Sequence, residues 1–204
     1  FEKTKEIMLD DIIAVRCSGS REIGFVNDFY FTDLMVNDKK KSKRDVYALF
    51  TSDIHLGSHN FLEENFEKFI SWLNGEGVDE EQKEKISKIK YLFIVGDSVD
   101  GVGVFPGQEE ALKIKDMKSQ YIELAKYLER IPKHITIFMC PGQHDAVRVP
   151  EPQPPVDVDF AEPLTKLENL YLVTNPAVIE LESGHVENAE GIKVLMYHGA
   201  SLHS

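Results

Sequence analysis

The chain has 204 residues, a formal net charge of −12, 42% hydrophobic and 10% aromatic side chains, and two cysteines. That apolar content excludes a disordered chain, and no apolar run approaches the roughly 20 residues that a membrane span needs. Cys17 and Cys140 are too few for a disulfide framework or a cysteine zinc site. Both read as reduced thiols of an intracellular, cytoplasmic protein with no secretory leader. The first residue is Phe1 rather than Met, which leads to the expectation of a piece of a longer protein.

The charge is unevenly placed. Residues 1–45 hold nine basic and nine acidic side chains, so residues 46–204 carry the whole −12. Such a body does not bind nucleic acid by charge alone. For an anionic substrate, metal ions or a basic partner must supply the positive charge.

In chain order, Ile12–Cys17 and Phe25–Phe31 are two β-like runs, the second rich in aromatics. A basic run follows, made of Lys39, Lys40, Lys41, Lys43 and Arg44. It reads first as a solvated linker and second as a DNA phosphate contact. It marks the boundary between an N-terminal β segment, residues 1–45, and a main domain, residues 46–204.

From there the pattern is α/β. The run from Val46 to Thr51 is a short buried strand. Phe61–Asn74 repeats its apolar residues at steps of three and four, as a helix packed on a sheet requires. Residues 75–88 are charged surface. Tyr91–Val95 is a second buried strand, and Glu109–Arg130 is a helix ended near Pro132. Ile135–Cys140 is a third strand. Residues 150–163 hold five prolines, Pro150, Pro152, Pro154, Pro155 and Pro163, and read as an extended loop. Leu170–Val173, Ala177–Leu181 and Lys193–Tyr197 look like further strands.

Each strong strand ends in a polar cluster. The first runs into Asp53-Ile54-His55, the second into Gly96-Asp97 with Asp100 three residues on, the third into Gly142-Gln143-His144-Asp145, and a late one into His198-Gly199. In an α/β sheet, ligands bind beyond the carboxyl ends of strands. A lone Asp-x-His is more often a turn, and a Gly-Asp after a strand is often only that. Four such ends in succession make a constellation. Carboxylate oxygen and imidazole nitrogen suit hard or borderline divalent ions. Asp53 and His55 can hold one ion, Asp97 can bridge two, and Gln143 with His198 can hold the second. Two such ions polarise a phosphate and activate water near neutral pH.

These motifs, in this order over residues 47–199, resemble the calcineurin-like metallophosphoesterases. The finer features are similar to the small subunit of archaeal D-family DNA polymerases: Ser52-Asp-Ile-His-Leu-Gly-Ser, Gly-Asp-Ser-Val-Asp-Gly-Val-Gly, and Pro-Gly-Gln-His-Asp-Ala-Val-Arg before a proline-rich stretch. The resemblance implies an α+β sandwich, with sheets flanked by helices, preceded by the tail of an OB-like domain at residues 1–37, which with the basic linker makes up residues 1–45. It implies a 3′–5′ proofreading exonuclease that uses two manganese or magnesium ions, acts on DNA 3′ ends and binds a large polymerase subunit near the nucleoid. In it Asp53, His55, Asp97, Gln143 and His198 are metal ligands, and His144 is the stabiliser or general acid oriented by Asp145. The superfamily usually has Asn where Gln143 stands, and a later Gly-x-His segment that residues 1–204 do not contain. The site is therefore expected to be incomplete in this segment. A catalytically inactive scaffold subunit, and a phosphoesterase acting on phosphoproteins or nucleotides, are the alternatives.

Overall fold

The computed structural model describes residues 5, 7–9, 11–20, 22–31, 41–183 and 191–202. The chain divides into two compact units, Phe1–Lys39 and Lys40–Ser204. In the first, β1 (Ile13–Gly19) and β2 (Gly24–Phe31) form an antiparallel hairpin in the register Ile13↔Phe31, with an irregularity between Arg16 and Cys17. The hairpin leaves Val15, Phe25, Val26, Tyr30 and Phe31 exposed.

The second unit is built on a parallel sheet ordered β3 (Tyr47–Thr51), β4 (Ile89–Val95), β5 (Thr136–Cys140) and β6 (Leu170–Leu172). Period-two alternation sends β4 and β5 side chains to opposite faces, and both faces are apolar, as a covered parallel sheet requires. Leu92, Ile94, Ile137 and Met139 pack on the helical side with Ile70, Leu73, Tyr121, Leu124 and Leu128. Phe93 and Cys140 pack on the other side with Leu181 and Met196. Those two residues belong to the antiparallel pair β7 (Ala177–Leu181) and β8 (Ile192–Met196). The register also aligns Phe50, Phe93, Phe138 and Tyr171, one on each parallel strand. Their rings stack in sequence, with centroids 4.7, 5.3 and 5.7 Å apart.

The helices are α1 (Glu63–Leu73), α2 (Glu80–Ser87), α3 (Met117–Glu129) and α4 (Val158–Thr165). Three depart from the sequence pattern. The charged 75–88 segment contains α2, opened by the Asp79 carboxylate accepting from the Gln82 N–H and anchored by the single buried residue Ile86. The periodic 109–130 stretch is helical only from Met117, because Asp116 caps there and accepts from the Ser119 N–H. Residues 108–110 form a separate 3-10 turn. The proline-rich loop ends early, since Asp157 caps α4 and Pro163 lies within that helix. None of the helices described is long and apolar enough to cross a membrane.

Because β3, β4 and β5 are parallel and in register, their carboxyl ends open on one edge, with Thr51 opposite Ile94 and Val95 opposite Cys140. The ladder continues past the strands. The Asp53 N–H donates to the Gly96 carbonyl, His55 N–H to Asp97, and Gly96 N–H to Cys140, at 3.0–3.1 Å. Backbone hydrogen bonding thus fastens the polar clusters to one another before any side chain is considered.

Candidate metal centre

Asp53, His55 and Asp97 all hold left-handed backbone conformations, with φ of 53°, 50° and 49°. Side chains other than glycine rarely adopt this region, and holding one there costs on the order of 1 kcal/mol or more. Glu182, in the second unit but outside this cluster, is the other described case. Three strained residues in two adjoining loops mark a place where side-chain direction outweighs local stability.

The strain brings donors together. Ligand atoms of Asp53, Asp97 and His198 lie within 4.8 Å of one another, and so do those of His55, Asp97 and His144. Asp97 belongs to both groups and is almost fully buried. Burial opposes its ionisation, but hydrogen bonding with His198 and from the His144 N–H outweighs that, and the carboxyl stays below its ordinary range. His198 Nε2 stands 3.3 Å from Asp97 Oδ2. That hydrogen bond raises the imidazole to about 9, against the opposing effect of burial.

The three histidines share one arrangement. His198 Nδ1 faces the Val95 carbonyl at 3.0 Å, His144 Nδ1 the Asp100 carbonyl at 2.7 Å, and His55 Nδ1 the Asp100 carboxylate at 3.0 Å. A carbonyl oxygen only accepts, so Nδ1 carries the proton in His198 and His144, and an ionised carboxylate requires the same of His55. Each ring therefore keeps Nε2 for another partner, as metal-ligating histidines do when an oxygen behind the ring fixes its tautomer. His55 Nε2 sits 3.9 Å from both Asp53 Oδ1 and Asp97 Oδ2.

The donor set fits divalent ions on two further observations. Gln143 Oε1 is buried without a hydrogen-bond partner among the described residues, as are Glu151 Oε1 and Asn169 Oδ1; of the three it alone belongs to the expected donor set, and an unpartnered amide oxygen suits a divalent cation. Glycines close the cluster tightly. A Cβ on Gly142 would lie 2.7 Å from the Asp97 nitrogen and 2.8 Å from His198 Cδ2, and one on Gly96 would overlap the His198 ring.

Asp53, Asp97 and His198 form one close group of donors and His55, Asp97 and His144 the other, while His55 Nε2 also reaches Asp53 Oδ1 at 3.9 Å. Asp145 stands differently from the role the resemblance implies. Its carboxylate is fully enclosed, accepting from Ser98 Oγ at 2.5 Å, the Gly142 N–H at 2.9 Å and the Tyr121 hydroxyl at 2.9 Å. Burial pushes its pKa up against those bonds. The His144 ring, which the resemblance would have Asp145 orient, is held instead by the Asp100 carbonyl. Asp145 fastens the loop rather than the ring.

Asp100 stands in the second polar cluster, where the sequence pattern assigns it no role. It holds His55 through Oδ1, and its Oδ2 accepts from the buried Gln108 amide at 3.2 Å. Of the basic run, Lys39 and Lys40 lie outside the described residues. Lys41 and Lys43 are exposed, and Arg44 forks onto Glu182 through Nε at 2.7 Å and Nη2 at 2.6 Å. Arg44 is therefore engaged within the second unit.

Two hollows adjoin the cluster. Asp53, His55 and Asp100 line one of about 660 Å³. Gln143, His144 and Asp145 line another of about 630 Å³.

Residues 48–190 match the B-subunit family of DNA polymerases alpha and epsilon. The chain is 45% identical over 205 residues to the DNA polymerase II small subunit of Pyrococcus horikoshii, covering 99% of this chain and 32% of that protein. It is 44% identical over 203 residues to the protein of that name from Methanocaldococcus jannaschii, covering 97% and 32%. Against that of Archaeoglobus fulgidus it is 40% identical over 201 residues, covering 98% and 39%. The chain thus spans about a third of the length of the curated relatives it matches. It belongs to the B-subunit family of DNA polymerases alpha and epsilon, and its likeness to archaeal D-family small subunits is borne out by those relatives.

Proposed function

We propose that this chain carries the catalytic core of a 3′–5′ exonuclease, a calcineurin-like metallophosphoesterase within a polymerase small subunit. The observation that carries the reading is the convergence of three Nδ1-anchored histidines on the shared, buried Asp97. Asp53, His55, Asp97, Gln143 and His198 would hold two divalent ions, manganese or magnesium, with Asp97 common to both. When bound, the ions polarise a phosphodiester and lower the pKa of water.

The protein's own part is positional. The Asp100 carboxylate, and the Val95 and Asp100 carbonyls, fix the three rings so that each Nε2 is available in the cluster. His144 also donates its backbone N–H to Asp97 at 2.9 Å, which holds its loop against the shared carboxylate. As an imidazolium, with both ring nitrogens protonated, His144 would stabilise a phosphate oxygen through Nε2 or pass the Nε2 proton to the leaving 3′ oxygen. The enclosed Asp145 holds the loop under Gln143 and His144 through Ser98, Tyr121 and Gly142.

The domain reading goes with this. Residues 1–45 would be the tail of an OB-like domain followed by a basic linker, since a two-stranded hairpin with exposed aromatics needs further strands for stability. Residues 46–204 would be the phosphoesterase part. The working protein would join a large polymerase subunit inside the cell and meet DNA at 3′ ends. The names of the relatives support a polymerase-subunit role.

The test uses the full-length protein with manganese and a 3′-labelled oligonucleotide carrying a terminal mismatch. Wild type should release labelled mononucleotide. His144→Ala should lower turnover by about 100-fold or more while retaining its metal content. A wild-type protein that binds its large subunit yet releases no nucleotide supports the scaffold reading instead. Hydrolysis of phosphopeptides or free nucleotides in preference to DNA supports the phosphatase reading.

A further inference from the structure

Among the residues lining the two hollows beside the cluster, Arg148 is the one arginine or lysine. It stands in the hollow of about 630 Å³ that also takes in Gln143 and His144, with apolar walls that include Val104 and Phe160. That volume is within the range of small-ligand sites. The guanidinium is tethered through Nε, at 3.1 Å, and Nη2 to the Pro152 carbonyl. A carbonyl carries no net charge, and Arg148 has no ion pair among the described residues. The full positive charge therefore remains, in a chain of net charge −12.

The loop that bears it is built into the cluster. The Gln153 amide, buried, shares its Nε2 among the carbonyls of Arg148 at 3.1 Å, Val149 at 3.3 Å and Gly142 at 3.4 Å. Its Oε1 accepts from Asn175 Nδ2 at 2.8 Å, and Asn175 Oδ1 accepts from the His198 N–H at 3.0 Å. Both amides are at most 2% exposed. One enclosed chain of hydrogen bonds thus fixes Arg148 relative to the residue before Gln143 and to His198. An exposed cation with its backbone held this way loses little freedom when it binds an anion, and its remaining N–H groups suit a phosphate.

We propose that Arg148 forms a second phosphate subsite. It takes the phosphate next to the reacting one on a nucleic-acid strand, and so selects a polynucleotide over an isolated phosphodiester. This inference rests on the phosphodiesterase reading of the Asp97 cluster.

The experiment compares Arg148→Gln with wild type in the full-length protein with manganese. The two substrates are a single-stranded oligonucleotide and bis(p-nitrophenyl) phosphate, which has one phosphate only. The ratio of kcat/KM values, oligonucleotide over small diester, should fall about tenfold, more through KM than kcat, and Arg148→Lys should restore part of it. An unchanged ratio in Arg148→Gln overturns the subsite. If wild type hydrolyses neither substrate, the phosphodiesterase reading fails by itself, and salt-dependent binding of the same oligonucleotide takes over as the readout. A slope reduced by about one unit in Arg148→Gln then supports the subsite, and an unchanged slope overturns it.

Discussion

His55 and Asp100 lie 45 residues apart in sequence and meet at 3.0 Å, Nδ1 to Oδ1, with the buried Gln108 amide on the other carboxylate oxygen. The pair fixes the plane of the His55 ring and the tautomer that leaves Nε2 available. Asp100→Ala should weaken manganese binding to the full-length protein by about 10–100-fold, with the far-ultraviolet circular dichroism retained. Calorimetric titration measures this. Unchanged affinity would mean that His55 is not a ligand or needs no orientation.

Gly142 makes a sharper steric test. A methyl group there meets the Asp97 backbone nitrogen at 2.7 Å and the His198 ring at 2.8 Å, so either the backbone or a ligand must move. Gly142→Ala should remove most metal binding. Gly103→Ala is the control, because it has positive φ but meets nothing within 4 Å. The control should lose about 1 kcal/mol of stability and keep its metal. Equal metal affinity in the two variants would contradict the packing described.

Tyr121→Phe tests the loop beneath the site. The buried hydroxyl donates to Asp145 Oδ1 at 2.9 Å and accepts from the Ala146 N–H at 3.0 Å. Removing it leaves an enclosed carboxylate one donor short and a backbone N–H without its partner. The expected loss is about 1–3 kcal/mol, read as a lower urea midpoint with an unchanged m-value. A midpoint within error of wild type would mean that water replaces the hydroxyl.

The strands and their polar ends are legible in the sequence because a buried parallel strand is a short apolar run, and the residues after it are abruptly Asp, His and Gly. Helix α2 is not, since Ile86 is its only buried residue and the rest of it is charged. The break before α3 is hidden because apolar spacing continues through Ile114, while Asp116 caps there. In the site, the clustered residue types can be read, but how closely they converge cannot, because that depends on left-handed φ at three residues. The layer behind the histidine rings is also silent. Two of the three groups that orient the histidines are backbone carbonyls, which no side-chain pattern encodes. The one available signal is the second Asp of Gly96-Asp97-x-x-Asp100.

The two cysteines should react very differently in the folded state. Cys17 is exposed, whereas Cys140 is enclosed at the end of β5. Burial first, and then the charge of Asp145, push the Cys140 thiol up to about 12. The thiolate is the reactive form, so iodoacetamide near pH 8 should modify the peptide containing Cys17 and spare the one containing Cys140 until denaturant is added. Mass spectrometry of the digest reports this directly. Equal labelling under native conditions would place Cys140 outside the core.

Everything proposed for the site depends on Asp97 being shared by two ions at the carboxyl ends of β3, β4 and β5. Anomalous diffraction from crystals of the full-length protein grown with manganese tests this most directly. The predicted result is two manganese peaks with Asp97 a ligand of both, the Nε2 atoms of His55 and His198 coordinated, and both peaks lost in Asp97→Ala. No peak at Asp97, or two peaks that both persist in Asp97→Ala, would contradict it.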